Sequence, residues 1–221
     1  AIGTDRDNLE GAALGELTAL RGKQDVAGPG FRESGEPNKP SSSGPNRGAL
    51  RGTAYHAVLE HIRFHEIHSL SEVKPVVDEL LENGFLDQEA RDFINPNVIW
   101  NFLSSPLGKR MAKAQAEGRI HKEQQFIIGI PAREMGLGDS DELVLIQGII
   151  DAYLEEEDGL VLIDYKTDHV PEGSPEQGAK MLAERYRVQL DYYERALTQL
   201  TEKHVKERII YSLALQMSIN V

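Results

Sequence analysis

The sequence predicts an α/β (α+β) fold, a mixed central sheet flanked by helices, with a helical insertion after the first helix. Three observations predict it. Helical periodicity and capping signals run from Gly52 to about Gly118. β-prone segments then follow from His121 to Lys166, and a second long helical pattern, Gly178 to Leu200, precedes one more apolar strand at Arg208 to Leu215. The order helix, three strands, helix, strand packs as helices laid on a mixed sheet.

Taken in order, Asp7 to Arg21 has the pattern of a short helix, and Gly22 to Gly48 is rich in Gly, Pro, Ser and charge. Such a composition cannot bury a core, so residues 1–47 are expected to form a flexible tether and residues 48–221 the folded domain. Gly52-Thr53-Ala54-Tyr55-His56 opens an amphipathic helix, with Thr53 as its cap and Tyr55, Leu59 and Ile62 as an apolar stripe beside His56. Ser69 with Glu72 forms a capping box, Gly84 marks a stop, and Asn95-Pro96 and Ser105-Pro106 punctuate further short helices. These helices are expected to build a lid or platform rather than a site.

The strands carry the chemistry. Gly148-Ile149-Ile150-Asp151 and Asp164-Tyr165-Lys166 flank Asp158-Gly159, a dipeptide that favours a two-residue hairpin turn. A turn there sets Asp151 opposite Lys166 and Asp164 opposite Tyr153, so that Asp151, Asp164 and Lys166 share one face. Two carboxylates held close repel unless a cation sits between them, and hard oxygen ligands select Mg²⁺ or Mn²⁺. Lys166 then adds positive charge where a scissile phosphate develops negative charge. The bland alternative is a surface hairpin whose Asp and Lys form weak cross-strand ion pairs.

On the second long helix Leu182, Tyr186, Gln189, Tyr193 and Leu197 recur at three- and four-residue steps, and Gln189 interrupts an otherwise inward row. A buried glutamine must be hydrogen-bonded or reach something outside the core. The loops from Pro131 to Glu142 and from His169 to Gln177 are expected near the site, the first reading as a DNA contact or, more simply, as a solvated connection.

Taken together and in this order, the His56 segment, Gly148 to Asp151, Asp164-Tyr165-Lys166 and Gln189-Leu190-Asp191-Tyr192-Tyr193 resemble the RecB-type nucleases of the PD-(D/E)XK superfamily. Leu162-Ile163-Asp164-Tyr165-Lys166-Thr167-Asp168 and the ending through Ile209-Ile210-Tyr211 place the likeness in the AddA-like branch of helicase-nucleases, over roughly Gly48 to Val221. The resemblance implies a restriction-endonuclease-like core and metal ligands at His56, Asp151, Asp164 and the main-chain carbonyl of Tyr165. Asp151, Asp164 and Lys166 are then the catalytic set, Glu123 a possible further acidic residue, and Gln189 and Tyr193 contact DNA or brace the site. It also implies a Mg²⁺-dependent deoxyribonuclease, with Mn²⁺ substituting and Ca²⁺ binding without activity. The implied substrate is single-stranded DNA fed from a duplex end, the 3′-terminated strand, during double-strand-break repair and recombination. The implied partners are a helicase portion of the same polypeptide and an AddB-like protein.

Composition bounds this further. The chain has no cysteine, which excludes an iron-sulfur cluster, disulfides and thiolate zinc sites. There is no run of eighteen apolar residues and no export signal pattern, so a membrane span is not expected and the cytoplasm, with nucleoid association, is the expected place. A net charge of -12 implies weak autonomous binding to DNA, because phosphate neutralisation by Lys and Arg normally dominates affinity. Delivery by a motor resolves this, since effective concentration then replaces affinity. The sequence contains no Gly-x-x-x-x-Gly-Lys-Ser/Thr phosphate loop, so that motor lies outside it. The competing readings are an idle nuclease-like docking or DNA-binding module and a stand-alone PD-(D/E)XK endonuclease.

Overall fold

The computed structural model describes residues 47–170 and 173–221. The short helix and tether expected over residues 1–47 lie outside the described residues, apart from Arg47, which opens the first helix. Five strands, β1 (Ile120–Pro131), β2 (Leu143–Glu156), β3 (Gly159–Lys166), β4 (Val205–Ser212) and β5 (Met217–Asn220), form one sheet in the order β1-β2-β3-β4-β5. β3 and β4 are parallel and the other neighbours antiparallel. Among the described residues five helices cover one face: α1 (Arg47–His61), α2 (Leu70–Glu82), α3 (Gln88–Phe93), α4 (Pro96–Ser104) and α5 (Pro106–Ala116). The long helix α6 (Pro175–Thr201) makes the β3-to-β4 crossover and covers the other face. Among the described residues no helix is long and apolar enough to cross a membrane.

Two cores result. Val58, Leu59, Ile99, Phe102 and Met111 pack on Ala152, Leu154, Val161, Ile163 and Tyr211, while Leu182, Leu190 and Leu197 of α6 pack on Leu160, Leu162, Ile146 and Ile210. Alternation along β3 supplies both, because successive side chains point to opposite faces. The predicted platform helices are thus a full layer that carries His56 from above the sheet. Lys122 locks α1 in place: its ammonium donates to the carbonyls of Leu59, Glu60 and Ile62 at 3.0, 3.0 and 2.7 Å, closing the C-terminal end of that helix.

Several expectations about element ends are corrected. α1 begins at Arg47, five residues before Gly52, and Thr53 is no cap; its hydroxyl donates to the carbonyl of Ala49 one turn back, at 3.1 Å. The capping box at Ser69 is not formed as such. Glu72 reaches one residue farther and accepts the N–H of His68 at 2.6 Å, and the Ser69 side chain makes no cap bond. A capping box does form at Ser174 with Gln177, and it extends α6 forward to Pro175. Gly84, with φ of 78°, stops α2, and Asn95 and Ser105 cap α4 and α5. The last strand is two: Ser212 accepts the N–H of Leu215 in a turn, and β5 folds back on β4.

The hairpin differs in register. Its two-residue loop is Glu157-Asp158, with Glu156 paired to Gly159 and Ala152 to Ile163, not Asp158-Gly159. The strand pairing is therefore displaced by two residues. A displacement of two preserves the face of every side chain, whereas one of one would have scattered them. Extending the observed register sets Asp151 opposite Asp164, not opposite Lys166.

The loop from Pro131 to Glu142 leaves the end of β1 and reaches α6, where Arg195 donates to Glu134 at 2.7 Å. It opens with a 3₁₀ turn at Ala132–Met135, closed by the Ala132 N–H to the carbonyl of Glu142 at 2.9 Å. It begins eight residues along β1 from Glu123, roughly 25 Å of extended chain.

Candidate active site

β1 and β2 change faces together at one point. Lys122, Ala152 and Leu154 face the α1–α5 layer, yet Phe126, Ile128 and Ile150, an even number of residues away, face α6. The inversion falls at Glu123 and Asp151, which stand opposite each other while the paired ladder runs on both sides of them, Lys122 to Ala152 and Gln124 to Ile150. Glu123 has φ of 50°, the left-handed region that a non-glycine residue rarely enters. Such local strain is a recurrent feature of functional sites. Here it coincides with the point where donor atoms of Glu123 and Asp151 come within 4.8 Å of each other and of His56.

The β2–β3 ladder ends at Ala152–Ile163, and past it a side chain takes over the pairing. Asp151 Oδ2 accepts the N–H of Tyr165 at 2.7 Å. The carbonyl of Tyr165 lies 3.1 Å from His56 Nε2, and His56 Nδ1 lies 3.2 Å from Asp151 Oδ1. His56, Asp151 and Tyr165 thus close a ring between α1 and the splayed hairpin. On the α6 side Lys166 Nζ lies 2.7 Å from Asp164 Oδ2 and 4.2 Å from the centre of the Tyr186 ring. All four of His56, Asp151, Asp164 and Lys166 are buried. Gln189 donates to the hydroxyl of Tyr193 at 2.7 Å, so the interrupting glutamine is satisfied within its own helix.

Charge in this cluster is balanced rather than merely repulsive. Burial raises the Asp164 carboxyl and the Asp151 charge raises it further, to about 6, with Lys166 opposing. Burial disfavours the Lys166 ammonium, but Asp164 and Asp151 outweigh burial and hold it above the usual lysine range. Asp151 is held below its ordinary value: burial pushes up, and His56 and Lys166 push down harder. Burial lifts Glu123 to about 7, helped by the charges of Asp151 and Glu60.

The family model of the PD-(D/E)XK nuclease superfamily matches residues 31–219. The chain belongs to this superfamily. Its relatives include the A-type component of the ATP-dependent helicase/nuclease of Lachnoclostridium phytofermentans, 38% identical over 209 residues, covering 79% of this chain and 15% of that protein. The components of the same name from Clostridium novyi and Ruminiclostridium cellulolyticum are 37% and 39% identical over 170 and 168 residues, covering 75% and 74% of this chain and 13% of each relative. The chain therefore spans about one seventh of the length of these relatives.

PD-(D/E)XK nucleases use divalent metals, and the donor set of this member suits one. One atom each from His56, Glu123 and Asp151 lies within 4.8 Å of the others. A neutral imidazole cannot satisfy both of its neighbours, because each ring nitrogen of His56 faces an oxygen acceptor and only one nitrogen carries a proton. Asp164 Oδ2 has the Lys166 ammonium at 2.7 Å, whereas His56 Nδ1 is buried beside Asp151 Oδ1 with no hydrogen bond. A second proton on His56 or a cation resolves this. Burial opposes that second proton, but Asp151 favours it and the His56 pKa is raised. Oxygen-rich donors with one imidazole suit Mg²⁺ or Mn²⁺ better than softer ions.

Two residues were not legible as site components. Tyr186 read only as part of the inward row, and Asp168 only as part of the Leu162–Asp168 wording. The signal was present in the spacing of Lys166 and Asp168, which lie two apart as β3 ends, but their partner on α6 needed the fold.

Proposed function

We propose that this domain hydrolyses the phosphodiester bonds of a DNA single strand with a divalent cation, Mg²⁺ in the cell, in the repair of double-strand breaks. The observation that carries this reading is the convergence of His56, Asp151, Glu123 and the Tyr165 carbonyl beside the buried Asp164–Lys166 pair. His56, Asp151, Asp164 and the Tyr165 carbonyl are the ligands in this reading, and Glu123, with a donor atom within 4.8 Å of those of His56 and Asp151, is a further one. A divalent cation supplies Lewis-acid charge to the phosphoryl oxygens and to the attacking water. Lys166, kept charged by its two aspartates, donates to a phosphoryl oxygen as negative charge grows there, rather than acting as a base. Asp164 orients that ammonium, and the Gln189–Tyr193 pair braces the adjoining turn of α6. Mn²⁺ is expected to substitute, and Ca²⁺ to bind without supporting turnover, because its looser coordination positions the water poorly.

The relatives are named as helicase/nuclease components, and the chain spans only a small share of them. A helicase portion of a longer polypeptide that delivers the 3′-terminated strand, with an AddB-like partner, is consistent with that naming and with the net charge of -12. The folded unit is taken as residues 48–221 and the compartment as the cytoplasm. The test is cleavage of end-labelled single strands with Mg²⁺, Mn²⁺ or Ca²⁺. Cleavage that needs Mg²⁺ or Mn²⁺ and vanishes in Asp164→Asn supports the reading; metal-independent cleavage, or none with any metal and any strand, sinks it. Opposite end labels on the strand report the polarity.

A further inference from the structure

Lys166 is contacted from two sides, and one of those contacts is Asp164 Oδ2, at 2.7 Å. The other is the ring of Tyr186, whose centre lies 4.2 Å from Nζ. That ring is itself held. Its hydroxyl lies 2.8 Å from both carboxylate oxygens of Asp168, and Arg185 Nη1 donates to Asp168 Oδ1 at 2.8 Å. Asp168 follows Lys166 by two residues, and its side chain is only 9% exposed. The end of β3 therefore grips α6 through Asp168, and α6 returns a ring face to the lysine of the same strand end.

We infer that Tyr186, tethered by Asp168 and Arg185, is a positioning residue for Lys166. The face of an aromatic ring attracts an ammonium through its quadrupole and carries no net charge, so a nearby cation cannot draw it away as it draws a carboxylate. A carboxylate accepting the phenol hydrogen bond adds electron density to the ring and strengthens that attraction. Tyr193, one of the two α6 residues expected to brace the site, has its hydroxyl taken by Gln189 instead. The inference rests on the proposed role of Lys166, and its test separates the two.

The experiment uses the whole 221-residue chain. Two quantities are read: kcat and KM for single-strand cleavage with Mg²⁺, and the proton resonance of the Lys166 ε-methylene, which a ring face shifts upfield. Tyr186→Leu should lower kcat about 10-fold or more with KM within about 2-fold, the pattern of lost transition-state contact, and return the resonance to its ordinary position. Tyr186→Phe keeps the ring but loses its hydrogen bond to Asp168, so it should show a smaller upfield shift and a kcat between those of wild type and Tyr186→Leu. Unchanged kcat in Tyr186→Leu, a rise in KM alone, or an unmoved resonance overturns the inference. If Tyr186→Leu fails to fold, Asp168→Ala decides, because it frees the ring without removing it; kcat and resonance both unchanged there overturn it equally. An inactive Lys166→Ala beside a fully active Tyr186→Leu sinks the positioning role alone, and a fully active Lys166→Ala sinks both.

Discussion

Asp151 Oδ2 accepts the main-chain N–H of Tyr165 at 2.7 Å, so a carboxylate stands where β2 would otherwise present a carbonyl to β3. This one bond ends the ladder and frees the Tyr165 carbonyl to face His56. It also makes Asp151 a structural residue of the metal-free protein, which a picture of two bare, repelling carboxylates does not anticipate. Both positive partners, His56 and Lys166, favour its charge.

Asp151→Asn should accordingly destabilise the metal-free fold, by about 1–3 kcal/mol for a weakened buried charged hydrogen bond, rather than leave it unchanged or improved. It should also abolish cleavage and sharply weaken Mn²⁺ and Mg²⁺ binding. Calorimetric metal titration and apo melting curves measure both effects. Wild-type metal affinity in this variant would remove Asp151 from the ligand set.

Lys166→Ala should lower the cleavage rate by on the order of 10²-fold or more, as for loss of one charged transition-state contact, with metal affinity retained. The two measurements together matter, since a ligand would lose both. Turnover at the wild-type rate is the outcome that ends its assigned role.

Glu123 has a carboxyl raised to about 7 by burial and by Asp151 and Glu60. A raised carboxyl contributes most to stability below its unfolded value and loses that contribution as pH climbs through about 7. Glu123→Gln has no such loss, so its melting temperature should rise relative to wild type between pH 4.5 and 7. The gain at pH 8 should be roughly 1 kcal/mol once the partial exposure of this carboxyl is allowed for. Its Mn²⁺ affinity should fall. A stability difference between variant and wild type that is the same at pH 4 and pH 8 contradicts the argument.

Arg110 on α5 binds Glu156 of β2 through Nε and Nη2 at 2.7 and 2.8 Å, and Glu207 of β4 through Nη1 at 2.7 Å. The guanidinium holds Glu156 down near about 2 and Glu207 below its ordinary value, with burial opposing in each case. Depressed carboxylates contribute stability above their unfolded pKa and lose it as pH falls. Arg110→Gln should therefore be less stable than wild type by about 1 kcal/mol at pH 7, a value kept small by solvent screening. The difference should shrink from about pH 4.5 downward. Urea midpoints at pH 7 and pH 3.5 measure it.

Gly108 lies in the first turn of α5 against the end of α4, where a Cβ would meet the carbonyl of Phe102 and approach the Leu103 Cα to 2.8 Å. Main chain cannot yield as a side chain can. Gly108→Ala should cost roughly 1–3 kcal/mol through overpacking, with metal affinity of the surviving folded protein unchanged. A neutral melting temperature would show that α4 and α5 can separate.

Elements with a local cause were legible in the sequence. The Pro and Asn or Ser pairs before α4 and α5, the stop at Gly84 and the β-prone runs on either side of Asp158-Gly159 each act within a few residues. The extra strand β5 was hidden because the turn from Leu213 to Gln216 carries no Gly or Pro, and its left-handed residue is Gln216, with φ of 54°. Capping failed as a guide at Thr53 for a related reason: α1 extends back to Arg47, so that threonine met a helical carbonyl instead of a free N–H.

The sequence by itself determined the layer order, the pairing of two acidic strands through a short turn, and the ordered residues His56, Asp151, Asp164, Lys166, Gln189 and Tyr193, because period-two and period-3.6 patterns and the spacing of motifs are local properties of the chain. Tertiary structure alone decided the register, the joint face change at Glu123 and Asp151, the replacement of a ladder carbonyl by a carboxylate, and the meeting of Lys166 with Tyr186. Each of these depends on two segments that are distant in sequence and balanced against each other by packing, and no periodicity within either segment reports where the other will stop.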